Sequence, residues 1–588
     1  MNTVLFIVVG VLIVFCMVIY FATNISGNLN KIKSNVVGDG QYGDAKWATN
    51  KELHSNMKFV LYEPEKWREG QNLPQYEGII LGTEKHGSKL YAMVDTDDNH
   101  TMFVAAPSGG KTTSIEYPNI EYSAAVGSPI FVTDTKGDPS QMYGRILQDK
   151  YHFTTYVIDM RNPSRSDGYN LLTLTNKYID MYNSTGNIEY KGRAEMYAKN
   201  VGKSVINLDN ASDHAGTNKY FYTCAEAVVA AITYLVSELC DKSQRHIVSV
   251  FKIIRQIIEI DPETVGKEGV RPQPYLMKLY NMLPENHISK DLLSSAAYAG
   301  DLKTIGSILS TATSQMLSFI DSEMEQLLCF DDGVDIEKFV EGKTAIFFIF
   351  DESSNTKNFI SSLLIRQTYN ELLKASERYP GNRLPHRVQY FLDEFGTFTS
   401  IEGVNQFFSA GRSRNIMSNP FLQSLSQLDE KYGEKTARTI RSCCQNIMFG
   451  WQAPLSDDAK KFSDFLGTQT VRGGSVSNRS NGSNNTSSTT YQMVKKPLMS
   501  PNAIKEMKKG EWVLMKTGQN PVKVSLPPCE AWGIKFDENS PYKIASKSSR
   551  EVSYADRTQL FSAIQNKYRY ISSPYSASVS QGTLEEYM

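Results

Sequence analysis

The chain has 588 residues, 41% of them hydrophobic, and a mean hydropathy of −0.35, which is typical of soluble globular domains. Its 62 Lys and Arg residues balance 63 Asp and Glu residues, so the composition excludes a general polycationic nucleic-acid binder and allows only a local basic channel. The 7 cysteines are scattered without CxxC or Cys/His spacing, which indicates reduced thiols and argues against a zinc site.

The first predicted element is an apolar helix near the N-terminus. Residues 4–22 are 19 residues without a charge, and at ~1.5 Å per residue such a helix covers ~28 Å, close to the hydrocarbon thickness of a bilayer. A cleaved signal peptide is the alternative, but residues 1–3 carry no basic residue and the apolar run is longer than usual. Lys31 and Lys33 follow the run, which predicts a single-pass cell-membrane anchor with the bulk of the chain in the cytoplasm.

Short apolar runs follow and predict a parallel sheet. Strand-like pieces ("YEGIILG", "LYAMV") precede residue 100, and continuous runs begin at residue 101 ("TMFVAA", "PIFVTDTKGD", "TTYVIDM") and return later ("TAIFFIF", "QYFLDEFG", "NIMFGW", "EWVLM"). Runs of this length and composition are typical of strands buried on both faces and covered by helices. Between about residues 180 and 335, apolar residues at helical spacing predict an all-helical insertion, in which the run 224–239 is a buried helix rather than a membrane span.

The C-terminal part contains two segments with weak structural signals. Residues 473–490 ("GGSVSNRSNGSNNTSSTT") include one apolar residue, so we expect a flexible loop. The last ~50 residues are rich in Ser and Tyr, and we expect a loosely structured tail.

A small-residue turn follows the run at residue 101 and fits a phosphate-binding loop. Small residues let backbone N–H groups face phosphate oxygens, and the following helix adds its positive end. Lys111 is predicted to reach the β- and γ-phosphates of ATP, and the Thr112 hydroxyl to ligate Mg²⁺. An ordinary glycine-rich turn is the alternative, but the preceding strand and the helix-compatible "KTTSIEY" favour the phosphate loop. The predicted nucleotide-contacting residues are Ala105, Ala106, Pro107, Ser108, Gly109, Gly110, Lys111, Thr112 and Thr113.

Further candidate catalytic residues lie in the second half of the chain. The run "VQYFLDEFG" predicts a strand ending in Asp393, which would hold Mg²⁺ through water, and Glu394, which would polarise the attacking water. Gln423, after another predicted strand, would orient that water or sense the γ-phosphate, and Arg412 or Arg414 would reach the transition-state charge within the chain or from an adjacent subunit. The alternatives are a solvated strand end, solvated arginines and a glutamine that closes a loop.

Several motifs occur in a fixed order along residues 40–535. They are "YGDAKWAT", "APSGGKTTS", "FVTDTKGD", "KYFYTCAEAVVAAITYL", "YFLDEFG", "GRSRN", "LQSLSQLDEKYG" and "FSDFLGTQT". Together with the N-terminal anchor, this set resembles the TraG/TraD-like coupling proteins of conjugative type IV secretion systems.

The resemblance implies an α/β fold: a RecA-like P-loop NTPase domain with an inserted all-α domain, preceded by one transmembrane helix. It also implies ATP and Mg²⁺ as cofactors and a membrane-bound homohexamer. The family recruits relaxase and relaxosome proteins with their single-stranded DNA, or protein substrates, and passes them to the secretion channel. Many members carry two transmembrane helices, whereas this sequence shows one. The predicted regions are a transmembrane anchor (1–24), a juxtamembrane segment with the start of the nucleotide-binding domain (25–100), that domain's first part (101–180), the all-α insertion (181–335), the domain's second part (336–535, with the loop 473–490) and a tail (536–588).

Two other functions remain open from the sequence. One is a membrane-tethered ATP-binding scaffold that recruits cargo without motor activity. The other is a chromosome-segregation-type duplex DNA translocase, for which we expect a C-terminal winged-helix module that is not visible after residue 535.

Overall fold

The structure of the protein is a computed structural model. It describes residues 13–17, 34–206, 218–266, 271–332, 334–350, 357, 359–397, 400–401, 403–481, 484–537, 541–542, 544 and 550–568. Residues 13–17 are helical (α1) and exposed, and the rest of the predicted anchor lies outside the described residues. Within the described part of the chain, one helix, Lys219–Leu239, is long and apolar enough to cross a membrane, and 67% of its apolar window is buried inside the protein.

The strands account for nearly all of the short apolar runs that the sequence shows. In the described residues they are β1 (Lys58–Leu61), β2 (Ile79–His86), β3 (Lys89–Asp95), β4 (Thr101–Val104), β5 (Ile130–Asp134), β6 (Thr154–Asp159), β7 (Thr344–Ile349), β8 (Val388–Leu392), β9 (Ile416–Leu422), β10 (Asn446–Phe449), β11 (Thr468–Asn481), β12 (Asn484–Pro497), β13 (Glu511–Lys516) and β14 (Val522–Ser525).

One 12-stranded sheet forms the centre of the molecule, in the order β1-β3-β2-β14-β13-β10-β4-β9-β8-β5-β7-β6. The half from β10 to β6 is parallel, and the half from β1 to β13 is antiparallel. Successive residues of β4 enter opposite cores, Met102 and Val104 on one face and Phe103 on the other. The predicted parallel sheet with two covered faces is therefore confirmed.

Helices cover the sheet and form the insertion between β6 and β7. Within the described residues they are α2 (Asn50–Asn56), α3 (Pro64–Trp67), a π-helical turn (Lys111–Glu116) continuing into α4 (Tyr117–Val126), α5 (Asp138–Tyr151), α6 (Thr173–Thr185), α7 (Ile188–Ile206), α8 (Asn218–Leu239), α9 (Ile247–Ile257), α10 (Tyr275–Met282), α11 (Ile288–Ala297), α12 (Leu302–Leu317), α13 (Ser322–Leu328), α14 (Ile336–Glu341), α15 (Phe359–Ser376), α16 (Val404–Ala410), α17 (Ser426–Cys443), α18 (Asp458–Leu466), α19 (Pro501–Lys505) and α20 (Arg557–Tyr568).

The insertion is built around α8, which packs against α7, α9, α11 and α12. Its apolar side chains, such as Val228, Ile232 and Leu235, are fully buried, as expected for the core helix of a helical domain. The helices run from Thr173 to Glu341, slightly wider than the predicted range 181–335.

Two predictions for the C-terminal part need correction. Residues 473–481 and 484–490 pair as the antiparallel strands β11 and β12 rather than forming a loop, because backbone hydrogen bonds between the two strands hold them without apolar side chains. The expected loose tail is wrong for residues 550–568, where α20 packs against α8 and buries Leu560 and Ile564. Their spacing of four residues places both on one helix face, too short a signal to recognise in isolation.

Candidate active site

The small-residue turn forms a tight loop between β4 and the π-helical turn. Ser108 has φ 62° and Gly110 has φ 88°, so the backbone passes twice through the left-handed region that favours glycine. A β-carbon on Gly109 would lie 2.9 Å from the carbonyl oxygen of Ala106, so a larger residue there would force the loop open. The Ala105 N–H donates to the Leu422 carbonyl oxygen at 3.1 Å, which fixes the loop's start to the end of β9.

Lys111 begins the π-helical turn and folds back over the loop. Its ammonium group donates to the Ala105 carbonyl oxygen at 2.9 Å, and the residue is only 8% exposed. Burial lowers the pKa of this amine, while the carboxylates of Glu394 and Asp393 act in the opposite direction. The buried cation therefore lies at the mouth of a loop whose backbone N–H groups can receive an anion.

Three carboxyl groups end neighbouring strands at the same edge of the sheet. Asp393 and Glu394 follow β8, and Asp134 ends β5, which pairs with β8 in parallel. Burial is the largest cause that raises the pKa of Asp393 to about 7, followed by the negative charge of Glu394. The charge of Lys111 lowers this pKa, and the charge of Asp134 raises it by less than Glu394 does. Burial raises the pKa of Asp134 to about 6. This edge therefore concentrates more negative charge than Lys111 alone balances.

A fourth carboxyl group, Glu116, ends the π-helical turn and faces the same cluster. It is fully buried, and burial followed by the charges of Asp393, Asp134 and Glu394 raises its pKa well above the ordinary value. In the described part of the chain, both of its oxygens lack a hydrogen-bond partner, as do Oδ1 of Asp393 and Oδ2 of Asp134. Buried acceptors left without donors are costly, and a cation at the phosphate loop would complete the orphaned Oδ1 of Asp393.

The donor set fits Mg²⁺. This ion takes oxygen ligands and is usually held by one or two carboxylates together with waters and substrate phosphates. Asp393 and the half-buried Thr112 supply such oxygens beside the loop. Among the described residues, no group of three or more His, Cys, Asp and Glu residues is placed to hold a metal directly.

Gln423 and Glu394 lie together although 29 residues separate them in the chain. The Gln423 side-chain amide donates to Oε2 of Glu394 at 2.9 Å, and its backbone N–H donates to Oε1 of Gln427 at 2.9 Å. Glu394 has φ 49°, a strained backbone conformation for a non-glycine residue that is common at functional sites. The parallel pairing of β8 and β9 therefore delivers the glutamine to the carboxylate.

The arginine pair is not part of this cluster within one chain. Arg412 and Arg414 form a 3₁₀ turn before β9, whereas Gln423 follows the last residue of that strand. A strand of 7 residues spans about 23 Å at ~3.3 Å per residue, so the arginines lie at the opposite edge of the sheet. Within one chain the same strand therefore separates both arginines from the loop, and their catalytic role stays a prediction.

Sequence reasoning missed two members of the cluster. Asp134 ends the buried run "IFVTD" in the same way as Asp393 ends its own run, so the rule that found Asp393 also fits Asp134. Glu116 shows no sequence signal, since a glutamate in a helix-compatible stretch is most simply read as exposed. Its burial became visible only in the structure, where the π-helical turn places it one turn after Thr112.

The chain was compared with known proteins. The family described as "Type IV secretory system Conjugative DNA transfer" matches residues 53–527, while no curated protein matches the chain. Among solved structures, the unbound bacterial conjugative coupling protein TrwBdeltaN70 is 14% identical, with a TM-score of 0.51 over 87% of this chain and 100% of that one. Plasmid coupling protein TrwB in complex with ADP and Mg²⁺ is also 14% identical, with a TM-score of 0.50 over 85% of this chain and 98% of that one.

These likenesses confirm the predicted α/β fold with a helical insertion. The family match covers well over half of the 588 residues and includes the loop, the carboxylates and Gln423. The chain therefore belongs to the family of type IV secretory system conjugative DNA transfer proteins.

Proposed function

We propose that the protein is a membrane-anchored ATPase that passes single-stranded DNA bound to a relaxase, or protein substrates, into a type IV secretion channel. The observation that carries the proposal is the contact between Gln423 and Glu394 beside a loop that already holds a buried lysine. This arrangement couples a phosphate site to a residue that can activate water.

The residues divide the work of ATP hydrolysis. The loop N–H groups and Lys111 bind the phosphates, with Lys111 exchanging its bond to Ala105 for the β- and γ-phosphates. Thr112 and Asp393 would hold Mg²⁺, which neutralises charge on the phosphates. Glu394 polarises the attacking water and accepts its proton. Gln423 holds the Glu394 carboxylate and is placed to report loss of the γ-phosphate to α17, which follows it.

An assembly of several copies would complete this site. The arginine turn lies at the edge opposite the loop, so Arg412 or Arg414 reaches a nucleotide only when a neighbouring subunit presents it. A homohexameric ring, which the family resemblance implies, would allow this contact. TrwB, with which this chain shares its fold, has been solved with ADP and Mg²⁺ and with an ATP analogue.

The test is ATP hydrolysis by the purified full-length protein, with and without single-stranded DNA of unrelated sequences. We expect DNA to stimulate turnover and Lys111→Ala to abolish it, with a cooperative melting transition as the check that the variant is folded. Lys150→Ala, an exposed lysine at the far end of α5, is the control and should behave as wild type.

The outcomes separate the proposal from the two alternatives. Nucleotide binding without DNA-stimulated turnover would contradict the motor function and favour a recruitment scaffold. Stimulation by duplex DNA but not by single strands would favour a duplex translocase. Because the net charge is −1, DNA binding must rest on local basic residues, and we expect it to weaken steeply with salt.

A further inference from the structure

A strip of residues beside the phosphate loop takes no part in the mechanism described above. It consists of residues 450–457, which follow β10, and residues 508–510, which precede β13. In the sheet, β10 is the neighbour of β4 on the side away from β8, and β13 is the next strand. The strip therefore flanks the loop on the side opposite Asp393 and Glu394.

The backbone around Trp451 is tied to the loop and its strand. The Ala106 N–H donates to the Trp451 carbonyl oxygen at 2.9 Å, and the Gly450 N–H donates to the Val104 carbonyl oxygen at 3.0 Å. The side-chain amide of Gln452 donates to the same Val104 oxygen at 3.3 Å. These bonds on both sides of Trp451 fix its position relative to the residues that would hold the phosphates.

The Trp451 side chain is nevertheless open to solvent. It is 38% exposed, whereas Trp67, Trp512 and Trp532 are at most 2% exposed. Leu455, four residues later in the chain, is 98% exposed. An exposed indole whose backbone is fixed next to a binding loop offers a flat surface on which a planar ring can stack.

A second cation lies on the same side. Lys509 is exposed, and its Cε would lie 3.4 Å from a β-carbon placed on Gly110, the residue before Lys111. Its ammonium group, one bond further on, therefore lies at the rim of the loop. Lys508, its neighbour, is also exposed and shows no approach to the loop glycines in the described residues.

We propose that this strip is the base side of the nucleotide site, with Trp451 stacking on the base and Lys509 adding positive charge beside the phosphates. The inference rests on the proposed ATP-binding function. A nucleotide held by its phosphates must extend its base to one side of the loop. The β8 side carries the carboxyl cluster and the water-activating residues, so the aromatic surface on the other side is the better match for an uncharged ring.

The test compares binding of Mg·ATP and Mg·tripolyphosphate, which lacks a base, to the purified full-length protein. We expect Trp451→Ala to weaken ATP about tenfold and to leave tripolyphosphate unchanged, as for loss of one base–aromatic stack. Trp451→Phe should keep most of the ATP affinity. Lys509→Ala should weaken both ligands about threefold, whereas the matched variant Lys508→Ala should change neither.

Other results would overturn the inference in distinguishable ways. Equal loss of ATP and tripolyphosphate in Trp451→Ala would mean that the tryptophan only supports the loop. Unchanged ATP affinity in that variant, with binding lost in Lys111→Ala, would place the base elsewhere while the proposed function stands. A smaller assembly with unchanged affinity would assign Trp451 to a subunit interface. Absence of ATP binding by the wild-type protein would instead contradict the proposed function itself.

Discussion

Both edges of the parallel sheet contain buried carboxyl groups. At one edge these groups are hydrogen-bonded, and at the other several of their oxygens lack donors among the described residues. At the edge where the parallel strands begin and the neighbouring antiparallel strands β3 and β13 end, the fully buried Asp95 accepts hydrogen bonds from Lys516 and Asn446, both at 2.7 Å, and from Asn99 and the backbone of Asp97. At the edge where strands end, both oxygens of the fully buried Glu116 lack a donor in the described part of the chain.

The pattern holds beyond these two carboxylates. Arg387, before β8, is 4% exposed and donates to Asp98 at 2.9 Å and to the carbonyl oxygen of Thr96 at 2.8 Å. After the same strand, Oδ1 of Asp393 has no donor among the described residues. A satisfied network specifies and stabilises a fold, whereas unsatisfied buried acids lower stability and are retained where a ligand completes them. This difference is what the proposed binding of a cation and a nucleotide at the strand-end edge would produce.

The largest expected effect comes from Glu394→Gln at the strand-end edge. Turnover of ATP should fall by about 10²- to 10⁴-fold because the proton acceptor is lost, while nucleotide affinity stays near the wild-type value. The amide can still accept the hydrogen bond from Gln423 through its oxygen, so the geometry is kept. Steady-state hydrolysis and equilibrium binding of an ATP analogue measure the two quantities. Loss of affinity would show instead that Glu394 is a ligand.

At the strand-start edge, we expect Asp95→Ala to cause the largest loss of stability. Removing one partner of a buried ion pair leaves Lys516 poorly compensated and should lower the free energy of unfolding by about 3–5 kcal/mol. Asp97→Ala is the matched control, because Asp97 bonds the same lysine but its side chain is 63% exposed, so its loss should cost less than about 1 kcal/mol. Thermal unfolding measures both, and equal losses would contradict the contrast between buried and exposed partners.

A neutral substitution at the strand-end edge should act in the opposite direction. The pKa of Asp393 is raised to about 7 in the folded protein, so its contribution to stability is present at low pH and is lost as pH rises through 7. We therefore expect Asp393→Asn to raise the melting temperature of the nucleotide-free protein at pH 8, with a gain that shrinks toward pH 5.

Asp98→Asn supplies the comparison for this variant, since Asp98 is paired with Arg387 and Arg383 at the other edge. It should lower the melting temperature at the same pH. A lower melting temperature for Asp393→Asn at pH 8 would mean that its carboxylate is compensated in the free protein, and would remove the distinction between the edges.

The smallest expected effect concerns His100, which precedes β4. Its ring is fully buried, Nδ1 accepts from the Ser418 N–H at 2.9 Å, and Nε2 lies 2.8 Å from the Phe408 carbonyl oxygen. Burial lowers its pKa to about 4, so its contribution is present above the ordinary value of 6.5 and is lost as pH falls toward 4.

Between pH 6.5 and 4, the titration of His100 lowers the free energy of unfolding by at most about 1.4 kcal/mol for each pH unit. We expect His100→Gln to be less stable than wild type at pH 7 and to lose less of its stability between pH 6.5 and 5. If the melting temperatures of the two proteins changed with pH in parallel, protonation of His100 would not be the cause of the lost stability.

The sequence by itself determined the local parts of this protein. Continuous apolar runs specified the strands because a strand buried on both faces needs no polar side. The loop from Ala105 to Lys111 and the pair after β8 were recognisable because their chemistry depends on residues close together in the chain. The all-helical insertion was recognisable because helical spacing repeats over many turns.

Only the tertiary structure decided which of these parts meet. The order of strands brings Gln423 to Glu394, places Asp134 beside Asp393 and moves Arg412 and Arg414 to the opposite edge. It also paired residues 473–481 with residues 484–490 and docked α20 on α8, because backbone pairing and packing can outweigh weak local signals. Strand order depends on pairing between segments far apart in the chain, and no short window of sequence contains that information.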